Sequence, residues 1–486
     1  MLRISSRLYS TALRDTFKKT TLPNGVTVAT SNTKGHFSAV GLYMHAGSRF
    51  ETPETIGCTH LLDRLAFKST QNYSGKDISQ KLELLGGNYQ CISSRETMIY
   101  QASVFNQDVD KMLKLMSQTV KSPLITVEEV EEQKQIAQYE VGEIWQKPEL
   151  ALPELLHTTA FAGKTLGAPL LCPLESIPTV TPNTLQLYRD ALYTPKNTVA
   201  AFVGVPHDKA VEMALTQFAD WNLNPNSKVN LINTSTPEVA QYIGGEACLP
   251  PAPYYGATPI ELYHFQIGFE SYPAAHDSVY AGAVLQTLLG GGSSFSAGGP
   301  GKGMFSRLYT DILNVHYEVD TCNAFSHTYS DTGLFGIHVS CFKNNANDVL
   351  NVIANEIATF LEPNSFNDSE VKRAKNQLKS SLLMNLESRL VELEDMGRQL
   401  AVQNTRIPVS EMIQKIENVT TKDVQDIARE IFTGKVKNAG SGTGKPTIVM
   451  QGEREAFGDV MGTLKKYGLG KHDGRSTVKA TKKRWF

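Results

Sequence analysis

His60-Leu61-Leu62-Asp63-Arg64 is one histidine short of a zinc-binding helix turn. Written H-x-x-E-H, such a turn sets two imidazoles four residues apart on one helical face as metal ligands. Its glutamate is then placed to take a proton from metal-bound water. Here Arg64 stands in the second ligand position and Asp63 in the position of the base. A guanidinium stays protonated and offers no lone pair to a cation, so it cannot replace imidazole. Asp63 can still accept a proton, on a stem one methylene shorter. The stretch reads as a catalytic scaffold without its catalyst.

Other segments keep the motif company: Thr21-Leu22-Pro23-Asn24-Gly25-Val26, Ala46-Gly47-Ser48-Arg49, and the glycine-rich run from Gly290 to Gly303. Over nearly its whole length the chain resembles the pitrilysin-type metallopeptidases, and among them the non-catalytic alpha subunits of the mitochondrial processing peptidase. In that family a third metal ligand, a glutamate, lies on a later helix, and the resemblance puts Glu140 in its place. The residues around Glu140 predict a long helix. Thr126 and Glu129 form a capping-box pair, and Val127, Val130, Ala137, Val141 and Ile144 recur at helical spacing. Glu140 lies four residues after Ile136 and four before Ile144, so it is expected to point inward, where a carboxylate needs a partner. Arg64, in the place of a ligand, is the expected partner, forming a charge-assisted pair within about 4 Å.

A chain of 486 residues, 41% apolar and 20% charged, exceeds one ordinary core and implies at least two domains. A net charge of −2 signals neither nucleic-acid binding nor an acidic tail. No apolar run approaches the roughly 18 residues that span a bilayer, and Val199-Ala200-Ala201-Phe202-Val203 has the length of a strand. Cys58, Cys91, Cys172, Cys248, Cys322 and Cys341 are scattered without a C-x-x-C pair, as suits buried thiols in a reducing compartment.

Residues 1–13 carry Arg3 and Arg7, the hydroxyls of Ser5, Ser6, Ser10 and Thr11, and no acid, which is the composition of a mitochondrial transit peptide. Arg7-Leu8-Tyr9-Ser10 resembles a processing signal with the cut after Tyr9, Leu13 being the alternative boundary.

Beyond it the sequence repeats once. Thr126-x-x-Glu129-Val130 is echoed by Asn367-x-x-Glu370-Val371, Val180-Thr181 by Val419-Thr420, and Phe105 by Phe342, each at a spacing of about 240 residues. Two homologous halves follow, 14–221 and 256–486, joined by an Asn/Pro/Gly-rich linker at 222–255 that includes Pro250-Pro251-Ala252-Pro253. Each half is expected to be α+β, a mostly antiparallel sheet with packed helices. Phe265-Gln266-Ile267-Gly268-Phe269-Glu270 matches Ser38-Ala39-Val40-Gly41-Leu42-Tyr43 at a spacing about ten residues shorter than the one at Phe342. An insertion therefore lies between them.

That interval holds Gly290-Gly291-Gly292-Ser293-Ser294-Phe295-Ser296-Ala297-Gly298-Gly299-Pro300-Gly301-Lys302-Gly303. It is no phosphate loop, because Gly301-Lys302 is followed by Gly303 rather than Ser or Thr and the run follows a helix, not a strand. The resemblance implies a loop that handles substrate, with Gly290, Gly291, Gly292, Ser293, Gly298, Gly299, Gly301, Lys302 and Gly303 as candidate contacts. Transit peptides share basic amphipathic character more than sequence, so their binder needs acids as well. Glu387, Glu392, Glu394 and Asp395, expected on a long second-half helix, are the candidates.

The resemblance thus implies a substrate-recognising subunit without catalytic residues or a zinc of its own, in the mitochondrial matrix. It would bind precursor transit peptides for a zinc-bearing beta subunit. A structural core subunit of the cytochrome bc1 complex and a free-standing zinc peptidase remain the alternatives, the latter at odds with Arg64.

Overall fold

The computed structural model describes residues 17–33, 35–221, 238–252, 261–294 and 304–471; the transit-peptide reading lies outside them. Among the described residues each half has six strands, most of them short runs rich in β-branched and aromatic residues. In the first these are β1 (Lys18–Thr21), β2 (Thr27–Ser31), β3 (Phe37–Met44), β4 (Asn88–Ser93), β5 (Met98–Phe105) and β6 (Thr198–Val203), in the order β1-β2-β6-β3-β5-β4. The second has β7 (Gly245–Leu249), β8 (Leu262–Ser271), β9 (Gly291–Ser293), β10 (Val319–Thr328), β11 (Gly333–Phe342) and β12 (Thr447–Gln451), in the order β7-β12-β8-β11-β10-β9. Both sheets are antiparallel except for one parallel pair each, β2 with β6 and β7 with β12. Five strands therefore superpose in order, β2-β6-β3-β5-β4 on β7-β12-β8-β11-β10. The strands left over, β1 and β9, lie at opposite edges.

One strand falls where a linker was expected. Glu246-Ala247-Cys248-Leu249 sits among prolines and glycines that hide its strand character, yet β7 pairs with β12 as β2 pairs with β6. Part of 222–255 thus belongs to the second sheet.

The N-caps that marked the repeat are present in both copies. Thr126 and Asn367 accept hydrogen bonds from the backbone N–H groups of Glu129 and Glu370, and Thr181 and Thr420 head the equivalent later helices. The box at Thr126 is only half made, because the Glu129 carboxylate turns away to accept from the Ser69 N–H at 2.9 Å and Oγ at 2.7 Å. Glu387, Glu392, Glu394 and Asp395 do not share one long helix. The chain breaks at Ser388, between helices Asp368–Leu386 and Arg389–Gln403, as it breaks at Lys147 between Val127–Ile144 and Pro148–Ala160.

These two breaks let the halves exchange helices. Alternation along β3 sends Val40, Leu42 and Met44 into the first core and leaves Ala39 and Tyr43 on the other face. Leu393, Met396 and Leu400 of the second half's helix 389–403 cover that face. Reciprocally, Leu152, Leu156 and Ala160 of the first half's helix 148–160 pack with Leu334 and Val449 of the second sheet. The approach is close at one point in each: a Cβ on Gly397 would stand 2.4 Å from the Tyr43 ring, and one on Gly268 3.0 Å from Leu156. Each sheet thus needs the other half to cover it.

An ionic clasp completes the join. Arg49, with 3% of its side chain exposed, donates from Nη1 to Glu96 Oε1 (2.7 Å) and Asp331 Oδ1 (2.8 Å). From Nη2 it donates to Asp331 Oδ2 (2.5 Å) and the Glu238 carbonyl (2.8 Å). Glu96 in turn accepts from the Ser330 N–H and hydroxyl, and Asp331 from the Ala240 N–H. One guanidinium ties a loop and a turn of the first half to the β10–β11 turn and to the segment entering β7.

Candidate functional site

The short helix Cys58–Arg64 carries the degenerate motif on the first half. Its start is held by Glu51, whose carboxyl oxygens accept from the N–H groups of Gly57 (2.8 Å) and Thr59 (2.7 Å) at the helix N-terminus. Gly57 takes φ +83°, and a Cβ there would meet Cys172 Sγ, so the turn into the helix requires glycine.

His60 lies inside, with 4% of its side chain exposed, and its Nδ1 accepts from the Cys172 backbone N–H at 3.2 Å. An amide N–H only donates, so the ring proton sits on Nε2, which lies 3.4 Å from Glu140 Oε2 without a hydrogen bond to it. Burial lowers the His60 pKa and Glu140 works against it, leaving a neutral imidazole. The Arg64 guanidinium stands where the second histidine would project, Nη1 at 3.7 Å from the same Glu140 oxygen and Nη2 at 3.6 Å from Asp63 Oδ1. The expected Arg64–Glu140 pair is there as one ionic contact, too long for a hydrogen bond and not bidentate. Glu140 Oε2 and His60 Nε2 find no hydrogen-bond partner. Asp63, the candidate base, is committed elsewhere: Oδ2 accepts from the Ser93 N–H (3.0 Å) and Oγ (2.7 Å).

This donor set does not fit zinc. A cation already occupies one ligand direction, and the Nε2 that would face the metal carries a proton. Metal-bound histidines present a bare nitrogen to the metal and donate from the other; His60 has the reverse arrangement. Among the described residues no group of three His, Cys, Asp or Glu side chains is arranged to hold a metal ion.

Val130, Ala137 and Val141 form the buried stripe that turns Glu140 toward His60, but Val127 and Ile136, also read as inward-facing, are 60% and 45% exposed. Their side of helix 127–144 faces out.

The glycine run starts as structure. Gly290 and Gly291 have φ of +56° and +114°, and a Cβ on Gly291 would fall 1.9 Å from the Cys322 carbonyl oxygen. Gly291–Ser293 is β9, paired with Thr321–Asn323 at the sheet edge. Gly298, Gly299, Gly301, Lys302 and Gly303 lie outside the described residues. Of the four acids, Glu387 is exposed at the end of helix 368–386. Glu392 accepts from Ser31 Oγ at 2.5 Å and Thr33 Oγ1 at 3.2 Å across the join between halves. Glu394 is bound by Arg398 at 2.7 Å, and Asp395 accepts from Gln399 at 3.0 Å, its carboxyl pushed up by burial. The structure does not gather these acids with the degenerate motif.

Sequence reasoning missed Glu51 and Arg49. The signal for Arg49 was its place directly after Gly47-Ser48: a Cβ on Gly47 would stand 2.4 Å from the Ser94 and Arg95 carbonyl oxygens, so a second strand turn passes just there. Glu51 yields a pH prediction. Burial lifts its carboxyl from 4.5 to about 7, against the two N–H donors. The folded state thus holds this proton more tightly than the unfolded chain, and stability falls as pH rises from about 4.5 to about 7, by at most about 1.4 kcal/mol per pH unit. Glu51→Gln should flatten this stretch of a plot of denaturation midpoint against pH; an unchanged slope would show that Glu51 does not titrate there.

Two sheets exchanging helices, with an incomplete zinc frame on the first, define a two-domain metallopeptidase fold. Residues 26–174 match the insulinase family, peptidase family M16, and residues 179–378 match the peptidase M16 inactive domain. The chain belongs to the M16 peptidase family. Among its relatives are alpha subunits of the mitochondrial-processing peptidase. The one from Neurospora crassa is 43% identical, over 89% of this chain and 86% of its own length. The human one is 38% identical, over 86% and 80%. In fold the chain is also similar to a chain of complex III2 from Candida albicans with Inz-5 bound, at a TM-score of 0.75 and 21% identity, covering 92% of this chain and 98% of that one. That likeness concerns the fold alone. No helix among the described residues is long and apolar enough to cross a membrane.

Proposed function

We propose that this chain is the non-catalytic, substrate-holding subunit of a heterodimeric processing peptidase of the mitochondrial matrix. A beta subunit with an intact motif supplies the zinc, and the pair cleaves transit peptides from precursors. The observation that carries the reading is Arg64 against Glu140: the chain keeps the frame of a zinc site and fills it with its own cation. Its kinship with processing-peptidase alpha subunits supports the division of labour. The test is cleavage of a transit-peptide substrate by each chain alone and by the co-expressed pair. Activity confined to the pair is the expected result; activity of this chain alone, lost on chelation, would refute it.

In this reading the glycine run contacts the peptide, with Glu387 the acid most open to it. Because Gly291–Ser293 is part of the sheet, a loop deletion must spare it. Removing residues 295–303 should weaken peptide capture by the pair about tenfold, the scale of one or two immobilised side-chain contacts, and leave subunit association intact. Fluorescence titration with a labelled peptide measures it, and unchanged affinity with unchanged turnover would take the loop out of the mechanism.

A further inference from the structure

Helix Val127–Ile144 buries Val130, Ala137 and Val141, and its far side carries a second pattern. Glu132, Ile136 and Tyr139 follow at i, i+4 and i+7 on one exposed strip, and the half-buried Glu143 continues it at i+11. Ile136 is 45% exposed and Tyr139 73%, and the Glu132 side chain is 60% exposed. Among the described residues, Lys68 lies 3.8 Å from Glu132 on the strip, and Arg64 meets Glu140 at its border, beside Ile136 and Tyr139. The Lys68–Glu132 pair, with 35% and 60% of its side chains exposed, is screened and easily exchanged for another cation.

We infer that this strip is a docking surface for a cationic amphipathic peptide segment. The apolar side of such a segment lies on Ile136 and the Tyr139 ring, while its arginines or lysines reach Glu132 and Glu143 on either side. The tyrosine face adds a cation–π contact to the same groups. Arg64, held by Glu140 and Asp63, closes the strip at the degenerate site against a further cation. Charge complementarity selects the occupant: acids interleaved with apolar side chains at helical spacing are the mirror of a basic amphipathic helix, the character transit peptides share. The inference rests on the substrate-holding reading and gives it a location.

The experiment uses the assembled pair, titrated with a fluorescent basic amphipathic peptide and with its counterpart in which each arginine is glutamine. In the triple variant Glu132→Gln, Tyr139→Ser, Glu143→Gln, affinity for the basic peptide should fall about tenfold, the sum of two screened charge contacts and one aromatic contact. The neutral counterpart should lose much less, and the salt dependence of binding should shrink. Glu131→Gln, on the same helix but off the strip, should bind as the unmodified pair does. Wild-type affinity in the triple variant would overturn the inference while leaving the substrate-holding reading in place. Weakened subunit association at unchanged peptide affinity would overturn it by assigning the strip to the partner subunit. An unmodified pair that ignores the basic peptide altogether would overturn both.

Discussion

Arg49→Met is expected to lower the stability of the folded chain by about 3–5 kcal/mol, the cost of breaking a buried ion pair from one side. Only 3% of the Arg49 side chain is exposed, and its guanidinium is shared by two carboxylates, Glu96 at 2.7 Å and Asp331 at 2.5 Å. Removing it leaves both anions facing each other between the halves with only neutral donors, the Ser330 hydroxyl and N–H and the Ala240 N–H, to hold them. Adding Glu96→Gln and Asp331→Asn to the variant keeps carbonyl acceptors for those donors and deletes the stranded charge, so much of the loss should return. Denaturant midpoints of the three proteins measure this, and hydrogen exchange at Ser330 and Ala240 tells whether the join itself has loosened. A loss below about 1 kcal/mol, the range of a surface pair, would mean that the clasp does not hold the halves together.

How far the sequence could be read depended on whether a feature was local. The repeat was legible because helix caps are short-range chemistry: Thr126, Thr181, Asn367 and Thr420 all cap, whatever the rest of the chain does. Glu140 was legible because the resemblance placed it, and the buried stripe of Val130, Ala137 and Val141, not Ile136, turns it toward Arg64. The helix exchange was not, since nothing in Leu393, Met396 and Leu400 says which of two sheets they cover, and the acids nearby read as candidates for a basic peptide although Glu392 and Glu394 are engaged at the join. β7 escaped for another reason: an edge strand needs only one good side of pairing, and five residues between glycines and prolines carry too little pattern to announce it.

Zinc is the measure of how much of the old site survives. The unmodified chain should hold less than one equivalent, because a catalytic site needs three protein ligands and Arg64 removes one while adding charge. The double variant Asp63→Glu, Arg64→His restores two imidazoles four residues apart, with Glu140 already turned toward them, and should bring zinc binding back. The affinity should nonetheless fall short of a matched site by about 10–100-fold, the usual cost of a wrong partner behind a ligand. The reason is His60: to bare Nε2 for a metal it must carry its proton on Nδ1, directly against the Cys172 N–H that now donates to it at 3.2 Å. Asp63→Glu has a second cost, since the longer stem must abandon the two Ser93 hydrogen bonds that hold the present carboxylate. Metal analysis after dialysis, and competition with a chelator of known affinity, give the two numbers. Full-strength binding in the double variant would mean that the His60 ring turns freely and that the Cys172 contact does not set its tautomer. No binding at all would mean that the frame around Glu140 has moved too far for the missing ligand to be the only thing lost.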